Sequence, residues 1–149
     1  MTVCSYRRRP FFGQIIEREV IHTKLGALVD KCWQQIPQHF NHVAIDTFIV
    51  MPNHLHGILN LIEPRRGTIY RAPTEGFGKP TRGSVPSIIR AFKAAVTREW
   101  RDVTKEESAI VWQRNYYEHT IRGEDELNRL RRYIVENPLR WAHDRYHHP

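Results

Sequence analysis

His54 and His56, separated by Leu55, are the residues of this chain best suited by type and spacing to do chemistry. They lie in the apolar run from Phe48 to Leu61, which reads as a strand, a Met51-Pro52-Asn53 turn and a return strand. Strand side chains alternate between faces, so two histidines two residues apart point the same way. Two neutral imidazoles side by side on a sheet make half of a metal site. The competing reading of a His-x-His pair is two ordinary half-buried histidines. The strand pattern weakens it. His54, His56, Ile58 and Asn60 share one face, whereas Leu55, Leu59 and Leu61 form the cleaner apolar face.

A second pair belongs with the first. Tyr133 and Asn137 are four residues apart in a helical pattern, so they lie one turn apart on one face. If that helix packs on the histidine face, both side chains point at His54 and His56. The set is then two imidazole nitrogens, an amide oxygen and a phenol. Mg²⁺ or Mn²⁺ suits oxygen ligands plus a substrate phosphate, and imidazole ligation leans the choice toward Mn²⁺. Three protein ligands leave open positions, as catalytic metal ions need. A tyrosine hydroxyl beside such an ion is a nucleophile for a phosphodiester.

Other elements must hold these residues in place. A short strand at Met1–Tyr6 precedes the basic turn Arg7-Arg8-Arg9-Pro10. Thr23 can cap a helix with Leu25, Leu28, Val29, Cys32, Trp33 and Ile36 at helical spacing, stopped by Pro37. In residues 43–51 simple alternation puts Val43, Ile45 and Ile49 on one face and Ala44, Phe48 and Val50 on the other. Residues 63–84, rich in glycine, proline and arginine, read as a long mobile basic loop. Ser84 or Ser87 can cap a helix with the apolar stripe Ile88, Ile89, Phe92, Ala95, Val96 and Trp100. Its opposite stripe is Arg90, Lys93, Thr97 and Arg101, with cations and no acid. Arg90, Lys93 and Arg101 are therefore candidate DNA-backbone contacts, weighed against plain solvation. A last strand is expected over 110–121, then a helix with acid at its start and Leu127, Leu130 and Ile134 buried. Residues 142–149 read as a flexible tail.

The element order is β-α-β-β-α-β with an added C-terminal helix. It predicts an α+β fold with a ferredoxin-like, RRM-like antiparallel sheet, the added helix carrying Tyr133. At 149 residues, 26% charged and 40% apolar, the chain is expected to be one globular domain. Lys and Arg exceed Asp and Glu by 23 − 16 = 7, which suits a polyanionic partner such as nucleic acid. Cys4 and Cys32 form no disulfide framework, and a reducing, cytoplasmic setting is expected. No apolar run approaches about 18 residues, and no signal-peptide pattern opens the chain, so no membrane span is expected.

These blocks together resemble the single-tyrosine HUH transposase superfamily. Met51-Pro52-Asn53-His54-Leu55-His56-Gly57-Ile58 is similar to its His-hydrophobic-His signature. The stretch from Trp112 to Arg122 resembles its later block, and Tyr133-Ile134-Val135-Glu136-Asn137-Pro138 the nucleophile helix of the REP-associated tyrosine transposase branch. The resemblance runs from about Met1 to Trp141. It implies that His54, His56 and Asn137 hold a divalent ion and that Tyr133 is the nucleophile. It further implies metal-dependent cleavage and rejoining of single-stranded DNA near a hairpin, through a 5′-phosphotyrosine and a free 3′-hydroxyl. It allows a homodimer or a monomer. Relatives often carry an Arg- and Tyr-containing segment before the first strand, so the short start is expected to bear on DNA recognition more than on the catalytic core.

The same residues allow other readings. Tyr116 and Tyr117 are rival nucleophiles, on opposite faces of a strand-like segment. His119 shares a face with Tyr117. Trp112 and Trp141 could stack on unpaired bases, although core packing is the commoner use of Trp. A domesticated relative would bind hairpin DNA without cutting it. An RRM-like RNA binder would need exposed aromatics where the histidines stand.

Overall fold

The histidine strand is the middle strand of the main sheet. The computed structural model describes residues 1–62, 83–144 and 146–147. Along the chain come β1 (Thr2–Cys4), a 3₁₀ turn (Tyr6–Arg8), β2 (Gly13–Ile16), β3 (Glu19–His22) and α1 (Lys24–Gln34). There follow α2 (Ile36–His39), β4 (Val43–Val50), β5 (His54–Leu61), α3 (Val85–Thr104), α4 (Glu124–Glu136) and a 3₁₀ segment (Asn137–His143). The main sheet has the order β1-β5-β4 and is antiparallel throughout. Residues 112–117 lie on the outer edge of β1 through bridges Ser5 to Trp112 and Thr2 to Tyr117. This is the expected α+β, ferredoxin-like arrangement with an added C-terminal helix.

The apolar face of the sheet carries the core. Leu55 is fully buried, and Val43 and Val50 lie beside it. Thr23 accepts a hydrogen bond from the Gly26 amide, capping α1 as its position predicts. Leu25, Val29, Cys32 and Trp33 form the buried stripe of α1, and Ile88, Ile89, Phe92 and Val96 that of α3. Trp33 meets Phe92 edge-on at 5.1 Å. It lies so close over β5 that a Cβ at Gly57 would run into its ring. Trp112 packs on Phe12 and Phe92 at 5.3 and 5.4 Å, in the core role weighed above. Burial pushes the Cys32 thiol up to about 11.

The structure departs from the sequence-based expectations at three places and adds one element they did not contain. First, β4 does not alternate simply. A register shift between Ile45 and Phe48 puts Val43, Ile45, Phe48 and Val50 on the apolar side, and pairs Ile49 with His56. An inserted residue reverses the face of everything after it, which alternation cannot foresee. Second, residues 13–22 form the hairpin of β2 and β3. Its turn is Glu17-Arg18, both at left-handed φ (50° and 69°) without the Asn or Gly that signals such turns. Third, the last strand over 110–121 is reduced to the two bridges. The Lys93 ammonium takes the carbonyls of Gln113 and Asn115 at 2.9 and 3.1 Å, drawing that loop toward α3 rather than into a ladder. Fourth, α1 ends at Gln34, before Pro37, which sits in the first turn of α2. The expected basic loop lies, over residues 63–82, outside the described residues.

Arg7 and Arg8 are consecutive non-glycine residues at φ 53°. Left-handed backbone costs an L-residue on the order of 1 kcal/mol or more, so the surroundings must hold this turn in place. Ser5 Oγ donates to the Arg9 carbonyl at 2.6 Å, and Asn53 Nδ2 to the Arg8 carbonyl at 3.0 Å, which does so.

Candidate functional site

His54 and His56 are buried on one face of β5, 0% and 4% exposed, with ring centroids 4.5 Å apart. The tautomer of His54 follows from its partner. Asn53 Nδ2 donates to the carbonyls of Arg8 and Tyr146 (3.0 and 2.6 Å), so its Oδ1 is the atom that faces His54 Nδ1 at 2.8 Å. An oxygen there accepts, so His54 Nδ1 carries the proton and Nε2 bears the lone pair. His56 Nδ1 lies 2.8 Å from Thr2 Oγ1, because β1 pairs Thr2 with His56. Ligation by either histidine would go through Nε2.

The third group comes from the chain end. Ligand atoms of His54, His56 and Asp144 all lie within 4.8 Å of one another. Asp144 Oδ2 accepts from Asn137 Nδ2 at 3.1 Å, and Oδ1 accepts from the Tyr146 amide at 2.7 Å. Asn137 is 1% exposed, and its Oδ1 has no hydrogen bond among the described residues. A buried carbonyl oxygen without a donor is costly unless a cation or water meets it. Two imidazole nitrogens, a carboxylate and an orphaned amide oxygen fit a divalent ion that accepts mixed N and O donors.

The expected flexible tail is therefore corrected at Asp144 and Tyr146. Tyr146 is buried, with its ring 4.7 Å from His54 and 5.9 Å from His56. Trp141 stacks on His54 at 6.1 Å. These contacts shield the pair from solvent, and no periodicity in residues 142–149 announces them.

Helix α4 brings Tyr133 to the same face. The Tyr133 ring meets the His56 ring at 5.3 Å, and Asn137 follows one turn later as the cap of α4. Ile134 anchors the buried side of the helix, with Leu127 and Leu130 half-buried. A bidentate ion pair fixes it to the sheet. Arg131 Nε and Nη2 donate to Asp46 Oδ1 and Oδ2 at 2.9 and 2.6 Å. Asp46 sits in the bulged part of β4, and that bulge turns it toward α4. These hydrogen bonds hold the Asp46 carboxyl down at about 2. A cleft beside the sheet is lined by Thr2, His56, Tyr117, His119, Arg131 and Tyr133.

The other sequence candidates fall elsewhere. Tyr116 donates to Glu118 at 3.0 Å, and burial with that neighbouring charge pushes its phenol well above the usual range, so it stays protonated. His119 bonds Glu126 at 2.8 Å on the first turn of α4. Arg90 is exposed on α3, in the helical layer on the apolar face and not at the histidines. Lys93 spans the 113–115 carbonyls and Arg101 donates to the Ala109 carbonyl at 3.0 Å, so both brace the chain that follows α3. The residues missed from sequence are Thr2, Asn53, Asp144 and Tyr146 in these supporting positions, and Trp141, expected to stack on bases or pack in the core, lies on His54. Asn53, directly before His54, carried a usable signal, since histidine ligands need an acceptor for their second nitrogen.

Fold and site together define an α+β domain with a buried histidine pair and a tyrosine-bearing helix on one face of its sheet. No family model matches the sequence. The chain is 41% identical over 150 residues to an uncharacterized protein of Haemophilus influenzae, covering 97% of this chain and 81% of that protein, and it belongs to that protein's family. Among solved structures it is similar to a REP-associated tyrosine transposase bound to a REP hairpin, with a TM-score of 0.60 and 17% identity. That match covers 93% of this chain and 64% of the other, so this chain spans just under two thirds of it. A candidate transposase from Deinococcus radiodurans matches with a TM-score of 0.52 and 15% identity, over 92% of this chain and 86% of the other. At these identities the likeness shows the fold. Among the described residues no helix is long and apolar enough to cross a membrane.

Proposed function

We propose that this protein cleaves and rejoins single-stranded DNA beside a hairpin, with Tyr133 as nucleophile. The observation that carries the reading is the meeting of two elements. α4 sets Tyr133 against His56 at 5.3 Å, and the same helix ends on Asn137, whose Nδ2 donates to the Asp144 carboxylate. His54, His56 and Asp144, with Asn137, would hold Mg²⁺ or Mn²⁺. When bound, such an ion orients and polarises the scissile phosphate. The DNA-bound state of the REP-associated transposase makes hairpin DNA the natural substrate to test.

Tyr133 acts on the phosphate in line. Its Oη forms a bond to phosphorus, the bond from phosphorus to the 3′ oxygen breaks, and the phenolic proton is given up as the 3′ oxygen takes one. The products are a 5′-phosphotyrosine and a free 3′-hydroxyl, and the reverse displacement rejoins the strand. Asn53 keeps His54 in the tautomer that presents Nε2, and Thr2 holds the His56 ring by its Nδ1. Tyr146 and Trp141 exclude water, and the Asp46–Arg131 pair keeps α4 over the sheet.

The test is a denaturing-gel adduct assay. Labelled single-stranded hairpins from the flanks of the coding region are mixed with the protein, with and without Mn²⁺. A metal-dependent protein–DNA band, lost in Tyr133→Phe, is expected. Tight hairpin binding without a band would favour a binding protein that does not cut. A band retained in Tyr133→Phe would move the nucleophile.

A further inference from the structure

A second feature lies beside the histidine pocket. Tyr6, Arg7, Arg8, Ile110, Trp112 and Arg114 line one open groove on the outer side of β1. No acidic residue lines it among the described residues. Arg7 and Arg114 are exposed and form no salt bridge among the described residues. Ile110 is 57% exposed, so the groove offers apolar surface beside its three cations. Ring faces and guanidinium groups are interleaved, with the Arg7 guanidinium 5.2 Å over Tyr6 and the Arg8 guanidinium 5.3 Å over Tyr146.

The groove is built, not incidental. One wall is the left-handed Arg7-Arg8 turn, held by Ser5 and Asn53. The other wall is the 113–115 loop, held by Lys93 through the Gln113 and Asn115 carbonyls, while Trp112 Nε1 donates back to the Lys93 carbonyl at 3.1 Å. Buried contacts tie one wall of the groove to the histidine pair. Tyr146 lies on both histidines, Arg8 lies on Tyr146, and Asn53 bonds the carbonyls of both Arg8 and Tyr146.

We propose that this groove is the path of the unpaired DNA strand adjoining the phosphate that Tyr133 attacks, an inference that rests on the function proposed above. Arg7, Arg8 and Arg114 contact successive phosphates, and bases lie against Tyr6 and Ile110. A duplex presents phosphates but keeps its base faces stacked away. An unpaired strand presents both, and a groove that mixes cations with ring and apolar surface matches it. Lys93 is on this account a positioning residue for the wall that carries Arg114.

The experiment is fluorescence anisotropy with a labelled unpaired oligodeoxynucleotide and with the duplex of the same sequence. It compares the intact chain with Arg7→Glu/Arg114→Glu across a salt series. The double variant is expected to bind the unpaired strand at least tenfold more weakly. Its log Kd against log salt slope should fall by roughly 1.4, since two single-strand phosphate contacts are lost at about 0.7 each. Duplex affinity should change much less. Unchanged binding of the unpaired strand, or equal losses on both DNAs, overturns the groove. Thermal midpoints report folding, and Arg114→Gln alone serves if the double variant is unstable, with a loss of about threefold or more expected and no loss counting against the groove. The adduct assay on the unsubstituted chain runs alongside. Groove-dependent binding without an adduct would retain the strand path and defeat the cleavage reading, whereas an adduct with groove-independent binding would do the reverse.

Discussion

The two faces of β5 carry alternate residues of one strand and obey different rules. Leu55 and Gly57 face a layer of helices whose contacts are dispersion and apolar burial, with Trp33 against the backbone. His54 and His56 face a pocket where polar groups, Asn53, Thr2, Asp144, Asn137 and the tyrosine helix, meet the rings of Trp141 and Tyr146. The apolar face tolerates chemistry of one kind and punishes lost volume. The histidine face is buried as deeply, yet is organised around donors and acceptors that specify a tautomer. Burial therefore does not report on role here. The partner chemistry does.

Substitutions can break this contrast. The largest effect is expected at Tyr133. Tyr133→Phe should remove the covalent adduct altogether, by more than about a thousandfold as expected for loss of a nucleophile, with the thermal midpoint nearly unchanged. A large drop in midpoint would mean that the hydroxyl holds the fold together. On the opposite face, Leu55→Ala should cost about 2–5 kcal/mol of stability in denaturant titration, because a buried leucine leaves a cavity. A cost near zero would show that this face repacks.

His56→Ala should lose Mn²⁺ binding by calorimetry, and Asp144→Asn should weaken it by about tenfold to a hundredfold. Unchanged affinity in Asp144→Asn would remove the carboxylate from the site. The smallest effect is a pH dependence. The Asp46 carboxyl is held at about 2 in the folded chain by the Arg131 hydrogen bonds, below its ordinary value. A depressed acid contributes stability that is full above its unfolded pKa, near 4, and is lost as pH falls toward 2. Asp46→Asn should therefore lower the midpoint at pH 7 by a few degrees, the difference shrinking steadily between pH 4 and 2. A difference independent of pH would mean that the pair acts by shape alone. At neutral pH the same variant should also slow adduct formation by about tenfold, since displacement of a positioned group is costly.

Much of the site was legible before any coordinates. The period-two pattern placed His54 and His56 on one side, and the four-residue spacing placed Tyr133 above Asn137. Both rules are local, and local geometry is all they need. The bulge in β4 was invisible because alternation assumes that no residue is inserted, and it decided where Asp46 points. The turn at Glu17-Arg18 was invisible because left-handed backbone was adopted without its usual residues.

The sequence alone determined which side chains share a strand face or a helix face, how basic the chain is, and which families its motifs resemble. Only the tertiary structure decided what those faces meet. Asp144 and Tyr146 reach the histidines from 88 to 92 residues away in sequence, counted from 56 to 144 and from 54 to 146. Thr2 reaches His56 through strand pairing. Such contacts depend on register, docking and chain return. These are settled by the burial of the whole core and are written in no short stretch of residues.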